Sequence, residues 1–178
     1  GQNPELVEQC DELMIGELAP LKLWLEELPR ELRYEPKSAE STAVEGSSLA
    51  TIKQQDHLWL QRQRVMLRLL YHDICISLCI AFVIFPSPNG SISTPTQSAI
   101  ECLHHAMAIT DIAYKVLSDS DILYGWHRAY QFQWNAALLM IAFAFANLST
   151  PFTSAILVKL EHAIFVLDTF GRCFAVAR

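Results

Sequence analysis

The sequence has little glycine, little charge and no long uninterrupted apolar run. It contains 6 glycines in 178 residues, and 18% of its residues are charged, where soluble domains average about 25%. The two longest apolar runs, 74–85 and 136–146, fall short of the about 20 residues that a membrane span requires. We therefore expect no membrane contact, and the shortage of charge predicts helices that are buried on more than one side.

The sequence also lacks the motifs of common enzymes and metal sites. It has no Gly-rich phosphate loop, no Gly-x-Ser-x-Gly and no Cys-x-x-Cys. Cys102 and His105 can approach each other on a helix, but no acid is placed to orient the histidine, so a packed helix is the better interpretation. His72, Cys75 and Cys79 share a helical face at a spacing unlike that of structural zinc sites. We expect no enzyme activity, no catalytic residue, no metal and no cofactor in this sequence.

Charge and cysteine usage exclude two further classes of protein. The net charge of −6 argues against direct binding of nucleic acid, which requires a basic surface. The 5 cysteines are odd in number and widely spaced, unlike a secreted disulfide framework. The chain begins with GQNPE rather than with methionine, and we expect it to be a fragment excised from a longer protein.

Apolar residues recur at helical spacing through most of the chain, and no stretch alternates convincingly at period two. This pattern predicts an all-α fold, a compact array of about five to six helices. The predicted helices span 4–28, 51–85, 95–118, 121–147 and 151–178. Three starts carry a capping residue before proline, and these are Asn3-Pro4, Thr94-Pro95 and Thr150-Pro151. Gln97 would complete a capping box with Thr94.

The predicted helices form a single domain, 1–178, interrupted by a flexible linker at about 35–50, which is small and polar in composition. Pro20 is expected to kink or break the first helix. The first helix has one apolar face, made of Met14, Leu18, Leu21, Leu25 and Leu28. The last helix has another, made of Ile156, Leu160, Ala163, Leu167, Phe170 and Phe174.

The second predicted helix contains the least polar stretch, YHDICISLCIAFVIFP, at 71–86. One stripe along this helix changes from charged to neutral to sulfhydryl side chains. Its members are Gln61, Arg64, Arg68, His72, Cys75 and Cys79. We interpret it as one long central buried helix that starts at the surface and ends covered on all sides.

An aromatic stripe in the fourth predicted helix is the candidate ligand-binding site. Trp126, Tyr130 and Trp134 are four residues apart, and His127 lies beside them. Such a face can form one wall of a ligand pocket, with hydroxyl and indole groups as polar contacts. Aromatic residues at helical spacing also occur in cores and at interfaces with other domains, so both interpretations stay open.

Four segments, taken in order, resemble one family. They are WLEELPRELRYEP at 24–36, LRLLYHDICISL at 67–78, CLHHAMAI at 102–109 and YQFQWNAALLMI at 130–141. Together with the linker after the first segment, they resemble the fungal-specific transcription factor domain, the middle homology region of binuclear zinc cluster regulators. The chain departs from many members at 79–82, where Cys-Ile-Ala-Phe replaces His-Arg-Pro-Phe.

The resemblance implies an effector-sensing domain of a nuclear transcription regulator. In such a protein an N-terminal zinc cluster, outside this sequence, binds DNA, and the helical part receives a small-molecule or protein signal. The low charge and the apolar helices would suit a small apolar effector, and the other candidate partners are other domains of the same regulator or a second copy of the chain. Two alternatives remain: a purely structural interaction or dimerisation module of such a regulator, and a helical enzyme.

Overall fold

The computed structural model describes residues 4–35, 57–84, 95–147 and 151–173, and every regular element in these ranges is helical. A short 3-10 turn, Arg30–Leu32, follows the first helix. The five α-helices are α1 (Pro4–Glu27), α2 (Leu58–Ile84), α3 (Gln97–Asp119), α4 (His127–Ala146) and α5 (Phe152–Cys173). The all-α prediction is confirmed. Most of the predicted linker lies outside the described residues, and the linker and the single domain stay predictions.

Several helix starts differ from the predicted ones by a few residues. Thr96, rather than Thr94, caps α3, because its hydroxyl accepts a hydrogen bond from the Ala99 N–H at 3.2 Å. The Gln97 amide donates to the Glu101 carboxylate at 3.0 Å and so faces along the helix. The start of α4 is delayed to His127 because 121–125 form a turn, in which Gly125 adopts a φ of 76° that side chains disfavour.

The centre of the fold is α3, which packs against all four other helices. Small side chains on α3 are fully buried and let the neighbouring helices come close, among them Ala99, Ala106 and Ala113. Helices α2 to α5 contribute to one continuous apolar core, whose largest members include Phe132, Phe143 and Phe170. Each such side chain contributes about 1.5–3 kcal/mol by leaving water.

Helix α1 lies at the edge of this core and contacts α2 and α3. The predicted face of Met14, Leu18, Leu21, Leu25 and Leu28 is the partly buried side of α1, while the residues between them are exposed. The helix continues through Pro20, so the expected break does not occur. Pro20 and Gly16 are exposed, and water can therefore hydrogen-bond the carbonyl group that Pro20 leaves without an amide partner.

The polar stripe of α2 faces the protein rather than the solvent. Gln61, Arg64 and Arg68 are half-buried, and His72, Cys75 and Cys79 are buried. On the other side, Leu78 and Ile80 are each 38% exposed. The expectation that α2 ends covered on all sides is therefore wrong. The inner side of α2 therefore carries His72 and the two cysteines, while Leu78 and Ile80 lie on its more exposed side.

Within the described ranges, α2 is the one helix with the length and composition of a membrane span. The qualifying segment, Leu58–Val83, contains a window of mean hydropathy 1.7, of which 39% is buried inside the protein. Core helices of soluble proteins meet the same criterion, and α2 packs against α1, α3 and α4. The absence of membrane contact stays a prediction.

Candidate functional site

The structure brings the four residues of the predicted ligand site into one row, here called the aromatic row (Trp126, His127, Tyr130 and Trp134). The Tyr130 and Trp134 rings stack at a centroid distance of 6.4 Å and an interplanar angle of 26°. The His127 ring lies 6.1 Å from Tyr130. Tyr130 also meets the edge of Phe170 from α5 at 6.1 Å. The row therefore runs along α4 with Tyr130 in contact with α5, and its role in binding a ligand stays a prediction.

The two ends of the aromatic row differ in exposure. Trp126 is half-buried, and the Arg62 guanidinium of α2 lies 5.7 Å above its ring. Arg62 also donates a hydrogen bond from Nε to the Ile122 carbonyl at 2.7 Å, so this end fastens the start of α4 to α2. Trp134 is 47% exposed. Trp134 is therefore the more exposed end of the row.

A histidine pair joins α2 to α3. The Nδ1 atoms of His72 and His105 are 2.8 Å apart, so one ring donates a hydrogen bond and the other accepts it. Burial lowers the pKa of His72 to about 3, with the neighbouring His105 as the second cause. Burial also lowers the pKa of His105. Tyr71 meets both imidazoles edge-on, at 5.0 and 5.7 Å, and the pair is therefore a neutral, enclosed contact.

The cysteines near this pair are packing residues. Cys75, Cys79 and Cys102 are fully buried. Burial raises the pKa of Cys75 to about 11 and raises the pKa of Cys102 well above its usual range, so these two thiols stay protonated. His105, the base considered for Cys102, has its Nδ1 occupied by His72. Cys102 and His105 therefore do not form an activated nucleophile.

The stripe of His72, Cys75 and Cys79 does not converge on a metal position. Among the residues that the structure describes, no group of three or more His, Cys, Asp or Glu side chains is arranged to hold a metal ion. The fragment's independence of metal stays a prediction, to be tested by measurement of bound zinc.

Two concave surfaces were missed by the sequence analysis, and the aromatic row lines neither. The larger is a groove of about 520 Å³ between α2 and α4, with apolar walls that include Ile76, Ile80 and Leu138. Asp73 lies in this groove, and burial raises the pKa of its carboxyl group. No local pattern reveals this groove, because its walls come from helices more than fifty residues apart in the chain.

The smaller is a cavity of about 240 Å³ between α2, the last turn of α1 and the segment that follows α1. Its polar residues are Glu26, Arg33, Tyr34, Arg64 and Arg68, and its apolar wall is Leu25, Leu28 and Leu32. The sequence carries a partial signal for it, since Arg64 and Arg68 are four residues apart on the inward stripe of α2. The approach of Arg33 to that stripe depends on the fold.

Comparison with known proteins relates the chain to fungal regulators. It is 28% identical over 185 residues to the transcription factor asqA of Emericella nidulans, covering 97% of this chain and 32% of that protein. It is 30% identical to the terreic acid cluster-specific transcription factor atF of Aspergillus terreus, covering 84% of this chain and 24% of that protein. An oosporein cluster regulator of Beauveria bassiana is 29% identical over 74% of this chain.

These relatives are much longer than the chain, which spans about a third of their length or less. No protein-family model matches the chain, and no solved structure matches it. Transcription factors are not enzymes, and the relatives therefore agree with the expectation that this chain is not one. By sequence, the chain is a homologue of one segment of fungal cluster-specific transcription factors.

Proposed function

We propose that the chain is the regulatory helical module of a fungal pathway-specific transcription factor of the middle-homology-region type. The observation that carries this proposal is similarity over 97% of the chain to a fungal protein named as a transcription factor and over 84% to one named as a cluster-specific transcription factor. In this proposal the regulator is nuclear and binds DNA through a zinc cluster elsewhere in the longer protein. The net charge of −6 on this chain supports the proposal that another part of the regulator binds DNA.

The function has a direct genetic test. Deleting the gene in the organism that encodes it should lower or raise the transcripts of one group of neighbouring metabolic genes, because the relatives are named as cluster regulators. The measurement is RNA sequencing of the deletion strain under conditions in which the gene is expressed. Unchanged transcripts throughout the genome would contradict the proposal.

Within this role, the aromatic row is our proposed receiver of a small apolar effector. Trp134 offers an open ring, and Tyr130 links α4 to Phe170 of α5. A flat apolar molecule stacked on these rings would bind one packing of α4 on α5 better than another. Binding would thereby shift the population between two arrangements of the helices, which other parts of the regulator could read.

A thermal-shift screen of apolar metabolites tests the aromatic row. A bound effector should raise the melting temperature, with a stabilisation of about 2.7 kcal/mol at a hundredfold excess over its dissociation constant. Trp134→Ala should abolish that rise with little loss of stability, because the side chain is half-exposed. The matched control is Trp59→Ala on α2, whose side chain is 62% exposed and lies outside the row. An unchanged rise in Trp134→Ala would exclude this site.

One observation favours the second candidate function, an interaction module without a ligand. Helix α4 exposes a line of large apolar side chains at helical spacing, namely Trp134, Leu138, Ile141 and Phe145. The relatives extend far beyond the segment that matches this chain, and the partner we propose for this line is therefore another part of the same regulator. A domain supplied in trans, rather than a metabolite, would then stabilise the chain.

A pair of variants separates the two functions. Phe145 is 74% exposed and Leu13, on α1, is 70% exposed, so Phe145→Asp and Leu13→Asp should both leave the chain folded. In the interaction account, Phe145→Asp releases the rest of the regulator in a co-purification assay, and Leu13→Asp does not. Retention by both variants would argue against the α4 line as an interface.

A further inference from the structure

We propose that the cavity lined by Arg33, Arg64 and Arg68, here called the arginine cavity, binds a small organic acid. The carboxylate would be held by the guanidinium groups and by the Tyr34 hydroxyl, and the hydrocarbon part would lie on the leucine wall. This site goes beyond the proposed function, because it shares no residue with the aromatic row and draws nothing from the relatives.

The fold holds two of the guanidinium groups in place with backbone carbonyls. Arg33 donates from Nε to the Leu28 carbonyl at 2.7 Å and from Nη2 to the Glu26 carbonyl at 2.6 Å. Arg64, on α2, donates from Nε to the Glu31 carbonyl at 2.5 Å. A carbonyl holds a guanidinium in place and contributes no full negative charge of its own. The two cations are therefore positioned before a ligand arrives, which lowers the entropic cost of binding.

Arg68 and Tyr34 complete the polar side of the cavity. The Arg68 guanidinium lies 5.6 Å above the Tyr71 ring, a contact that restrains it on the inner side of α2. Burial raises the pKa of Tyr34, and Asp119 raises it further against the opposing effect of Arg68. The Tyr34 hydroxyl therefore keeps its proton and can donate a hydrogen bond to an anion.

The cavity is locally positive in a chain that is negative overall. The sequence has 13 lysine and arginine residues and a net charge of −6, yet three arginines line this one cavity. Among the residues that the structure describes, Glu26 is the acidic residue of the lining, and Asp119 acts on Tyr34 from nearby. Guanidinium groups match the planar carboxylate and can bind it through paired hydrogen bonds. The expected ligand is consequently an anion.

Size and wall chemistry narrow the anion to a small carboxylic acid. A volume of about 240 Å³ lies below the about 300–1,000 Å³ typical of sites for drug-sized ligands. A nucleotide or another large anion would therefore extend beyond the cavity into solvent. Leu25, Leu28 and Leu32 form an apolar wall that would leave a bare inorganic anion without a partner on that side. A carboxylate with a short aromatic or aliphatic body fits both walls.

Binding measurements with benzoate as probe test this proposal. Benzoate should raise the melting temperature of the chain, and the neutral benzamide should not. Arg68→Gln should weaken benzoate binding about tenfold or more, the effect of losing a hydrogen bond to a charged group. Tyr34→Phe, which removes only the hydroxyl, should weaken it about threefold to tenfold. The matched control is Arg30→Gln, in the 3-10 turn just before Arg33 but outside the cavity lining, and its affinity should be unchanged.

Three outcomes would overturn the proposal. They are the absence of any response to benzoate, an equal response to benzamide, and an equal response to chloride or phosphate at the same ionic strength. Circular dichroism of each variant shows whether the helices are intact. If Arg68→Gln unfolds, Tyr34→Phe and Arg33→Gln decide the matter, and unchanged benzoate affinity in both would exclude the cavity.

Discussion

At the scale of single residues, the least expected feature is the hydrogen bond between His72 and His105. The two residues are 33 positions apart, and each looked in the sequence like a candidate for something else, a metal ligand or a catalytic base. Their shared bond requires at least one neutral ring, and burial keeps both rings from accepting a further proton. Arg68, Glu101 and His104 are the charged or titratable neighbours that act on the pair.

This pair makes stability depend on pH. The pKa of His72 falls from 6.5 to about 3 on folding, so below pH 6.5 the unfolded chain binds a proton that the folded chain does not. The free energy of unfolding should therefore decrease as pH falls below about 6.5, with a slope from His72 that approaches about 1.4 kcal/mol per pH unit. Urea denaturation at pH 7.5, 6.5 and 5.5 measures the slope.

Two variants test whether the pH dependence of the unfolding free energy comes from the pair of His72 and His105. His72→Gln should flatten it, because glutamine carries no titrating proton. His57→Gln is the control, since His57 is exposed ahead of α2, and its slope should equal that of the unmodified chain. Equal stability at pH 7.5 and pH 5.5 in the unmodified chain would contradict the role given to His72.

At the scale of the element, the start of the polar stripe of α2 was predicted to lie at the surface, but it lies on the inner side of the helix. The sequence analysis identified the right six residues but took the fading of charge along the stripe as a passage from surface to core. The stripe is on the inner side throughout. Arg64 bonds the Glu31 carbonyl of the 3-10 turn, His72 bonds His105 of α3, and Cys75 and Cys79 are fully buried. The aliphatic residues Leu78 and Ile80 were free to lie outside, since an exposed apolar residue is common in folded proteins.

Two neighbouring substitutions on α2 test this orientation. Cys79 is fully buried and Ile80 is 38% exposed. Cys79→Asp should destabilise the chain by about 3–5 kcal/mol, because it places an unpaired charge in the core. Ile80→Asp should cost about 1 kcal/mol or less. Chemical denaturation followed by circular dichroism compares them, and a reversed order of stability would refute the orientation.

At the scale of the whole molecule, helical periodicity predicted the buried face of a helix but not which other helix that face packs against. The face of α1 through Met14 and Leu28, and that of α5 through Ile156 and Phe170, were found because spacing alone defines them. The central position of α3, in contact with every other helix, could not be predicted from the sequence, because no local pattern indicates which helix faces pack together. The arginine cavity and the groove between α2 and α4 depend on such meetings and were missed for the same reason.

The central claim is that this helical array regulates transcription within a longer fungal protein. The most direct measurement replaces the gene at its own locus with the Trp134→Ala or the Trp59→Ala variant and quantifies transcripts of the controlled gene group at equal protein abundance. We predict that Trp134→Ala changes those transcripts as strongly as deletion of the gene does, while Trp59→Ala leaves them at the level of the unmodified strain. Trp134→Ala transcripts that stay at the level of the unmodified strain, where deletion of the gene changes them, would contradict the claim.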